Sequence, residues 1–205
     1  MRIKPWWVLV TFLAGMAVAM LTEDLILDNR NNRLEFSAPH TDFFAGKPME
    51  RLSNALEVSF IIRTTLWSGT RNHVYRTAVD QFVVSKDLWE PDKPFQVVKM
   101  EAPRKTVSHL TAKAAQAWCL SQMSLDLTGL SDKEPLWARL EIRAEDPPAD
   151  GSLLGDSVNS SGISLTNGLT KLVEILSRPA GSQKTITLDY PPAFTLDELK
   201  HKRGS

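Results

Sequence analysis

A chain of 205 residues with 42% hydrophobic and 23% charged residues has the composition of an ordinary globular protein of one domain. Its 24 basic and 24 acidic residues cancel, which argues against a dedicated nucleic-acid binder because such proteins usually carry a basic excess. The single cysteine, Cys119, excludes an intrachain disulfide and any metal site built from several cysteines.

The chain starts with a basic stretch followed by an apolar run. Arg2 and Lys4 precede residues 6–21, where Thr11 is the one polar side chain. As a helix this run would rise roughly 24 Å, slightly less than the ~30 Å core of a bilayer. A cleaved export signal, with the small-residue pattern at 17–19, and a retained anchor fit equally well. A buried helix of a soluble core fits less well because the run has no polar face.

The next part of the chain predicts a hairpin, a short helix and several strands. Apolar stretches flank the polar centre of LILDNRNNRLEFSA, as in a β-hairpin. In KPMERLSNAL, Pro48 suits a first helical turn. EVSFIIRTTLW alternates in polarity, and the side chains predicted to point one way are Val58, Phe60, Ile62, Thr64 and Leu66. VYRTAVDQFVVS and the stretch from Phe95 predict further strands. Because their connections are too short for helical crossovers, we predict an antiparallel meander.

Further helices and strands are predicted towards the end of the chain. TVSHLTAKAAQAWCLSQM spaces Ala115, Trp118, Cys119 and Met123 as one helical face. PLWARLEIRAED alternates like a half-buried strand. A long Pro-, Gly- and Ser-rich loop leads to an amphipathic helix, ISLTNGLTKLVEILSRP, which Pro179 ends. TITLDYPPAF predicts a last strand and LDELKHKRGS a polar tail.

These elements predict an α+β fold. An antiparallel sheet, a meander, would pack against two or three amphipathic helices and follow an N-terminal apolar helix. The predicted organisation has three parts: a signal peptide or transmembrane anchor at 1–21, an extracytoplasmic α+β domain at 22–200, and a polar tail at 201–205.

Catalytic motifs are not visible in the sequence. Cys119 and His109 lie ten residues apart, about 15 Å along a helix, so they cannot meet within one helix, and we expect the thiol to be buried. The histidines lack metal-ligand spacing, and no GxSxG, GxGxxG or P-loop pattern occurs. Asp87, Glu90 and Asp92 do not match the spacing of an EF-hand. We therefore predict no catalytic residue, no metal and no cofactor.

Four residues are candidates for binding a partner. Trp137 falls on the outer face of its predicted strand together with Arg139 and Arg143, and a tryptophan beside arginines is typical of an interface anchor. Trp89 lies in the stretch KDLWEPDKP, which predicts a turn between strands. We expect Trp89 to pack down onto the fold, with a partner-binding tip as the alternative.

The chain resembles a group of short, uncharacterised exported bacterial proteins, a domain of unknown function. Three segments carry the resemblance, which extends over residues 22–200: FVVSKDLWEPDKPFQV, VSHLTAKAAQAWCLSQM and GISLTNGLTKLVEILSRP. The resemblance implies a protein of the bacterial envelope, linked to membrane signalling or to a larger membrane assembly. It transfers no site residue to this chain.

Together these observations predict a non-catalytic domain on the periplasmic side of the cytoplasmic membrane, either anchored or secreted. It would bind a protein partner as an accessory subunit and would not bind nucleic acid. Residues 3–21 would contact the membrane if they are not cleaved. One alternative is a domain that binds a lipid or another apolar small molecule between the sheet and its helices. Another is a hydrolase whose site is not visible in the sequence.

Overall fold

The computed structural model describes residues 25–69, 71, 73–145, 185–190 and 193–202. Nine strands and three helices lie within these residues. In chain order they are β1 (Ile26–Arg30), β2 (Arg33–Ser37), α1 (Lys47–Ser53), β3 (Val58–Ser68), β4 (His73–Lys86), β5 (Phe95–Lys99), β6 (Lys105–Leu110), α2 (Ala112–Ser121), β7 (Ser124–Asp126), β8 (Leu136–Glu145), β9 (Thr185–Asp189) and α3 (Leu196–Lys202).

The strands form two sheets. The smaller sheet has the order β1-β2-β7, and the larger has the order β6-β5-β4-β3-β8-β9. The described strand pairs are all antiparallel. The α+β class and the antiparallel pairing predicted from the sequence are therefore confirmed. The division into two sheets is new, because β7 joins the early hairpin instead of the larger sheet.

The predicted hairpin is formed by β1 and β2. Its turn consists of Asn31 and Asn32, which have φ angles of 51° and 62°. Asparagine tolerates this left-handed backbone better than most residues, and two such residues in succession match the twist of the flanking strands. The polar cluster in the sequence therefore marked the turn correctly.

The central strand β3 supplies the middle of the core. Its predicted inward side chains are almost completely buried, at 1% exposure or less: Val58, Phe60, Ile62, Thr64 and Leu66. Phe44 stacks on Phe60 at 5.1 Å between ring centroids and lies 5.6 Å from Phe95, which joins the segment before α1 to the sheet. Aromatic pairs at this spacing add to the stabilisation from burial alone.

The helix predicted over residues 106–123 begins later than expected. Residues 105–110 form the edge strand β6, and only Ala112–Ser121 is helical. Thr111 ends the strand and caps the helix, since its hydroxyl accepts the Ala114 N–H at 3.2 Å. The β-branched residues at 106 and 107 favour a strand where β5 offers a partner. The predicted helical face is confirmed for Ala115 and Cys119, which are fully buried on α2. Met123 is also fully buried, but it lies two residues beyond the end of the helix.

The predicted polar tail is wrong for residues 196–202, which form α3. Thr195 and Glu198 make a reciprocal capping box: the Glu198 N–H donates to Thr195 Oγ1 at 3.3 Å, and the Thr195 N–H donates to Glu198 Oε2 at 2.9 Å. Leu196 and Leu199 are buried in the core. A threonine three residues before a glutamate was a helix signal that the polar composition obscured.

Three predicted segments lie outside the described residues. They are the N-terminal apolar run, the loop predicted over 145–162 apart from Glu145, which ends β8, and the helix ending at Pro179. Within the part of the chain that is described, no helix has the length and apolar character needed to cross a membrane.

Candidate functional site

Trp89 is the most exposed large hydrophobic side chain of the described residues, at 94% exposure, and Leu88 beside it is 53% exposed. Both lie in the connection from β4 to β5, residues 87–94, which we call the tryptophan loop. The expectation that Trp89 packs down is therefore wrong, and the alternative of an outward tip describes its position. Side chains alternate between the two faces of a sheet only within a strand, and β4 ends at Lys86, before Trp89.

The tryptophan loop is held by internal bonds. The Asp87 N–H donates to the Pro94 carbonyl at 2.7 Å and closes the loop. The Trp89 N–H donates to Asp87 Oδ1 at 2.9 Å, as in an Asx turn. Pro91 and Pro94 fix two further φ angles. These constraints set the direction in which the backbone presents the indole.

A side-chain contact ties the same loop to the edge strand β6. His109 Nδ1 lies 2.9 Å from Glu90 Oε2 and 3.1 Å from Oε1. His109 has a positive φ of 57°, an uncommon backbone state for residues other than glycine, so the ring leaves the strand at an irregular point. Among the described residues no group of three or more His, Cys, Asp or Glu side chains could hold a metal ion. Asp87 and Glu90 act here as loop anchors.

A further apolar side chain lies at the same end of the larger sheet. Val58, which starts β3, pairs with Val84 near the end of β4, so the chain just before β3 lies beside the start of the tryptophan loop. Leu56 is 50% exposed there. Lys86 Nζ donates to Ser53 Oγ at 3.3 Å and joins the end of α1 to the end of β4. This end of the sheet therefore presents Leu56, Leu88 and Trp89 to solvent.

The other predicted binding residues form a different patch. Trp137 pairs with Trp67 at the far end of β3, and the nine residue steps from Val58 to Trp67 extend about 30 Å. Trp137 is half-buried, and the Arg71 guanidinium lies 5.7 Å from its ring centroid. The structure thus places Trp89 and Trp137 at opposite ends of the sheet. They do not form one site.

The arginines beside Trp137 are engaged with neighbouring side chains. Arg139 donates to both carboxylate oxygens of Asp189, at 2.6 and 3.0 Å, and its guanidinium lies over the Trp67 ring. This bond lowers the pKa of Asp189 below its usual value. Arg143 pairs with Glu145 at 3.0 Å. Because these charges already bind each other, the sheet face around Trp137 is a poorer docking surface than its sequence indicates.

A pair of carboxyl groups, the buried Asp80 and the more exposed Glu101, was missed in the sequence. Asp80 is only 5% exposed and lies 3.0 Å from Lys99 Nζ through Oδ2. Partial burial and a hydrogen bond to Asp80 raise the pKa of Glu101 to about 7. Asp80 Oδ1 is buried and has no hydrogen-bond partner among the described residues. A hydrogen bond between two carboxyl groups needs one of them to be protonated. The signal in the sequence was Asp80 itself, because it alternates with Ala78 and Phe82 on the inward face of β4.

Cys119 has the buried position expected from the sequence. It is fully buried on α2, and this burial raises the pKa of its thiol to about 12. A thiol with such a pKa remains protonated near neutral pH, and the thiolate is the nucleophilic form. His109 lies on β6, in a separate element.

An open cleft of about 450 Å³ lies between the β1–β2 hairpin and α2. Its apolar floor includes Phe36, Ala38 and Leu120. Four charged side chains also line it: Asp28, Arg30, Glu35 and Lys113. Arg30 is bonded to Asp28 at 2.8 Å, so part of this charge is paired across the cleft wall.

No family model, curated protein or solved structure matches this chain. The resemblance to exported bacterial proteins therefore stays a prediction, and the function is argued from the geometry described above.

Proposed function

We propose that this protein is a non-catalytic interaction domain of the bacterial envelope, and that its tryptophan loop inserts Trp89 into a protein partner. One observation carries the proposal: a tryptophan that is 94% exposed on a loop held by several bonds. Burying an indole removes about 150–250 Å² from water, which is worth on the order of 4–6 kcal/mol before the costs of binding. Tryptophan is also enriched among the residues that dominate interface energies.

The rigidity of the loop supports binding over a structural role for Trp89. The closing bond from Asp87 to Pro94, the turn at Trp89 and the contact from Glu90 to His109 all exist without a partner. Binding would therefore cost little additional ordering of the loop backbone. An indole with no role in the fold, on a backbone this constrained, is typical of an anchor that is prepared for a complementary cleft.

Two other observations favour binding over catalysis and over an apolar ligand. The one cysteine is buried as a protonated thiol, which makes it a poor nucleophile. The cleft beside α2 is open and carries four charged side chains, which suits a lipid tail less well than an enclosed apolar cavity does. An apolar-ligand domain is therefore the weaker proposal.

The proposed location follows from the N-terminal sequence. Arg2 and Lys4 before the apolar residues 6–21 suit either an export signal or an anchor in the cytoplasmic membrane. The domain would then act on the periplasmic side as an accessory subunit of another envelope protein. A partner in the same membrane would meet the loop at a high effective concentration if the anchor is retained.

The test is to place an aromatic photo-crosslinking amino acid, whose ring takes the place of the indole, at position 89 of the full chain and to illuminate the cells that naturally produce it. We expect a covalent adduct with a protein, identified by mass spectrometry of the membrane fraction. The same label at Lys133, an exposed residue in the connection before β8, is the matched control. Equal labelling from both positions, or no protein adduct from position 89, would show that Trp89 is not a docking anchor.

A further inference from the structure

The charge around Trp89 indicates what kind of partner the tryptophan loop fits, and this inference rests on the proposed function. Residues 87–94 carry three carboxylates and one ammonium group, so the loop is acidic although the whole chain is formally neutral. In the sequence, Asp87 and Glu90 flank the two exposed apolar side chains, Leu88 and Trp89, and Asp92 follows them. An apolar tip on a loop with a net negative charge has a defined complement.

The three acids have different roles. Asp87 Oδ1 accepts the Trp89 N–H, and Glu90 contacts His109, so both help to hold the loop. Asp92 is exposed, and among the described residues it makes no side-chain hydrogen bond or ion pair. Its carboxylate is therefore the charge that a partner meets at the smallest cost to the loop.

We infer that the tryptophan loop docks into an apolar cleft of a different protein, and that lysine or arginine side chains line the rim of that cleft. The indole would fill the cleft, and the carboxylates of Asp87 and Asp92 would face the basic rim. Such an arrangement places apolar contacts at the centre of the interface and charges at its solvated edge. The edge charges would speed association and reject partners with acidic rims.

The charge of the loop also argues against two other surfaces that an exposed tryptophan could bind, a lipid bilayer and a second copy of this chain. A bilayer surface rich in anionic lipids repels an acidic loop, whereas loops that insert into membranes usually bring basic residues. A second copy of this chain would offer the cleft beside α2, whose lining carries two acids as well as two bases. Neither surface complements the net negative charge of the loop as well as a basic rim does.

The closing experiment repeats the crosslinking from position 89 in chains that also carry Asp92→Lys or, as a control, Asp197→Lys. Asp197 is an exposed carboxylate on α3. Just before α3, Phe194 pairs with Leu136 at the start of β8, so Asp197 lies at the end of the sheet opposite to the tryptophan loop. We expect Asp92→Lys to reduce the protein adduct by about tenfold and Asp197→Lys to leave it unchanged. The linked peptide of the partner should contain apolar residues together with lysine or arginine. Thermal unfolding of each variant checks that both are folded.

The outcomes separate this inference from the proposed function. A protein adduct whose yield is the same with Asp92→Lys overturns the basic rim and leaves the docking role intact. The absence of any protein adduct overturns both. Adducts with a second copy of the chain overturn the inference alone and identify the occupant. Adducts with lipid and with no protein overturn both proposals.

Discussion

At the scale of single residues, Glu101 shows how partial burial and a neighbouring carboxyl group, Asp80, link folding to pH. The pKa of Glu101 rises to about 7 in the folded protein from an ordinary value of 4.5. The folded chain therefore binds this proton more tightly than the unfolded chain does. Its stabilising contribution is complete below pH 4.5 and is lost as the pH rises through 7.

This linkage predicts that the free energy of unfolding falls between pH 4.5 and pH 8. The substitution Glu101→Gln should flatten that dependence, because an amide N–H can donate to Asp80 at every pH. Urea denaturation at a series of pH values measures the effect. Glu57→Gln, at an exposed glutamate before β3, is the control and should keep the slope of the unaltered protein. A slope that survives in Glu101→Gln would mean that another group takes up the proton.

At the scale of elements, α3 shows how a short polar segment becomes helical when its end is capped and its apolar residues find a core. Seven residues are too few for an isolated helix to be stable in water. The capping box of Thr195 and Glu198 satisfies two backbone N–H groups, and Leu196 and Leu199 supply the packing.

We therefore predict that Thr195→Ala lowers the free energy of unfolding by about 1 kcal/mol. Thr195→Ser keeps a hydroxyl at the cap and should cost clearly less. Chemical denaturation of both variants makes the comparison. Equal losses in the two variants would show that the threonine methyl group, and not the hydroxyl of the cap, stabilises α3.

At the scale of the whole molecule, stability and the proposed binding function use different aromatic residues. Phe60 lies fully buried against Phe43 and Phe44, whereas Trp89 is outside the core. The core can therefore be weakened without altering the tryptophan loop, and the loop can be altered without weakening the core.

This separation predicts opposite results for two alanine substitutions. Phe60→Ala should lower the free energy of unfolding by about 3–5 kcal/mol, because it leaves a cavity among packed rings. Trp89→Ala should change it by no more than about 0.5 kcal/mol while removing partner binding. Urea denaturation measures the free energy of unfolding. Co-purification with the partner identified by crosslinking measures binding. A large loss of stability in Trp89→Ala would assign the indole a structural role.

The sequence alone determined those features that depend on neighbouring residues. Alternating polarity identified β3, β4 and β8, the asparagines marked the hairpin turn, and helical spacing identified the buried face of α2. These signals are local because side chains repeat every two residues in a strand and every 3.6 residues in a helix.

Only the tertiary structure decided the rest, because it depends on contacts between distant parts of the chain. β7 pairs with β2 of the hairpin, about ninety residues earlier in the chain. Residues 105–110 form the strand β6 because they pair with β5. Asp80 met Glu101 through the pairing of β4 with β5, and Arg139 met Asp189 through the pairing of β8 with β9. Trp89 lies outside the core, which contains Phe43, Phe44 and Phe60. Its backbone N–H is bonded within the tryptophan loop, to Asp87 Oδ1. Burial and exposure of these side chains follow from which surfaces are covered, and a local pattern does not contain that information.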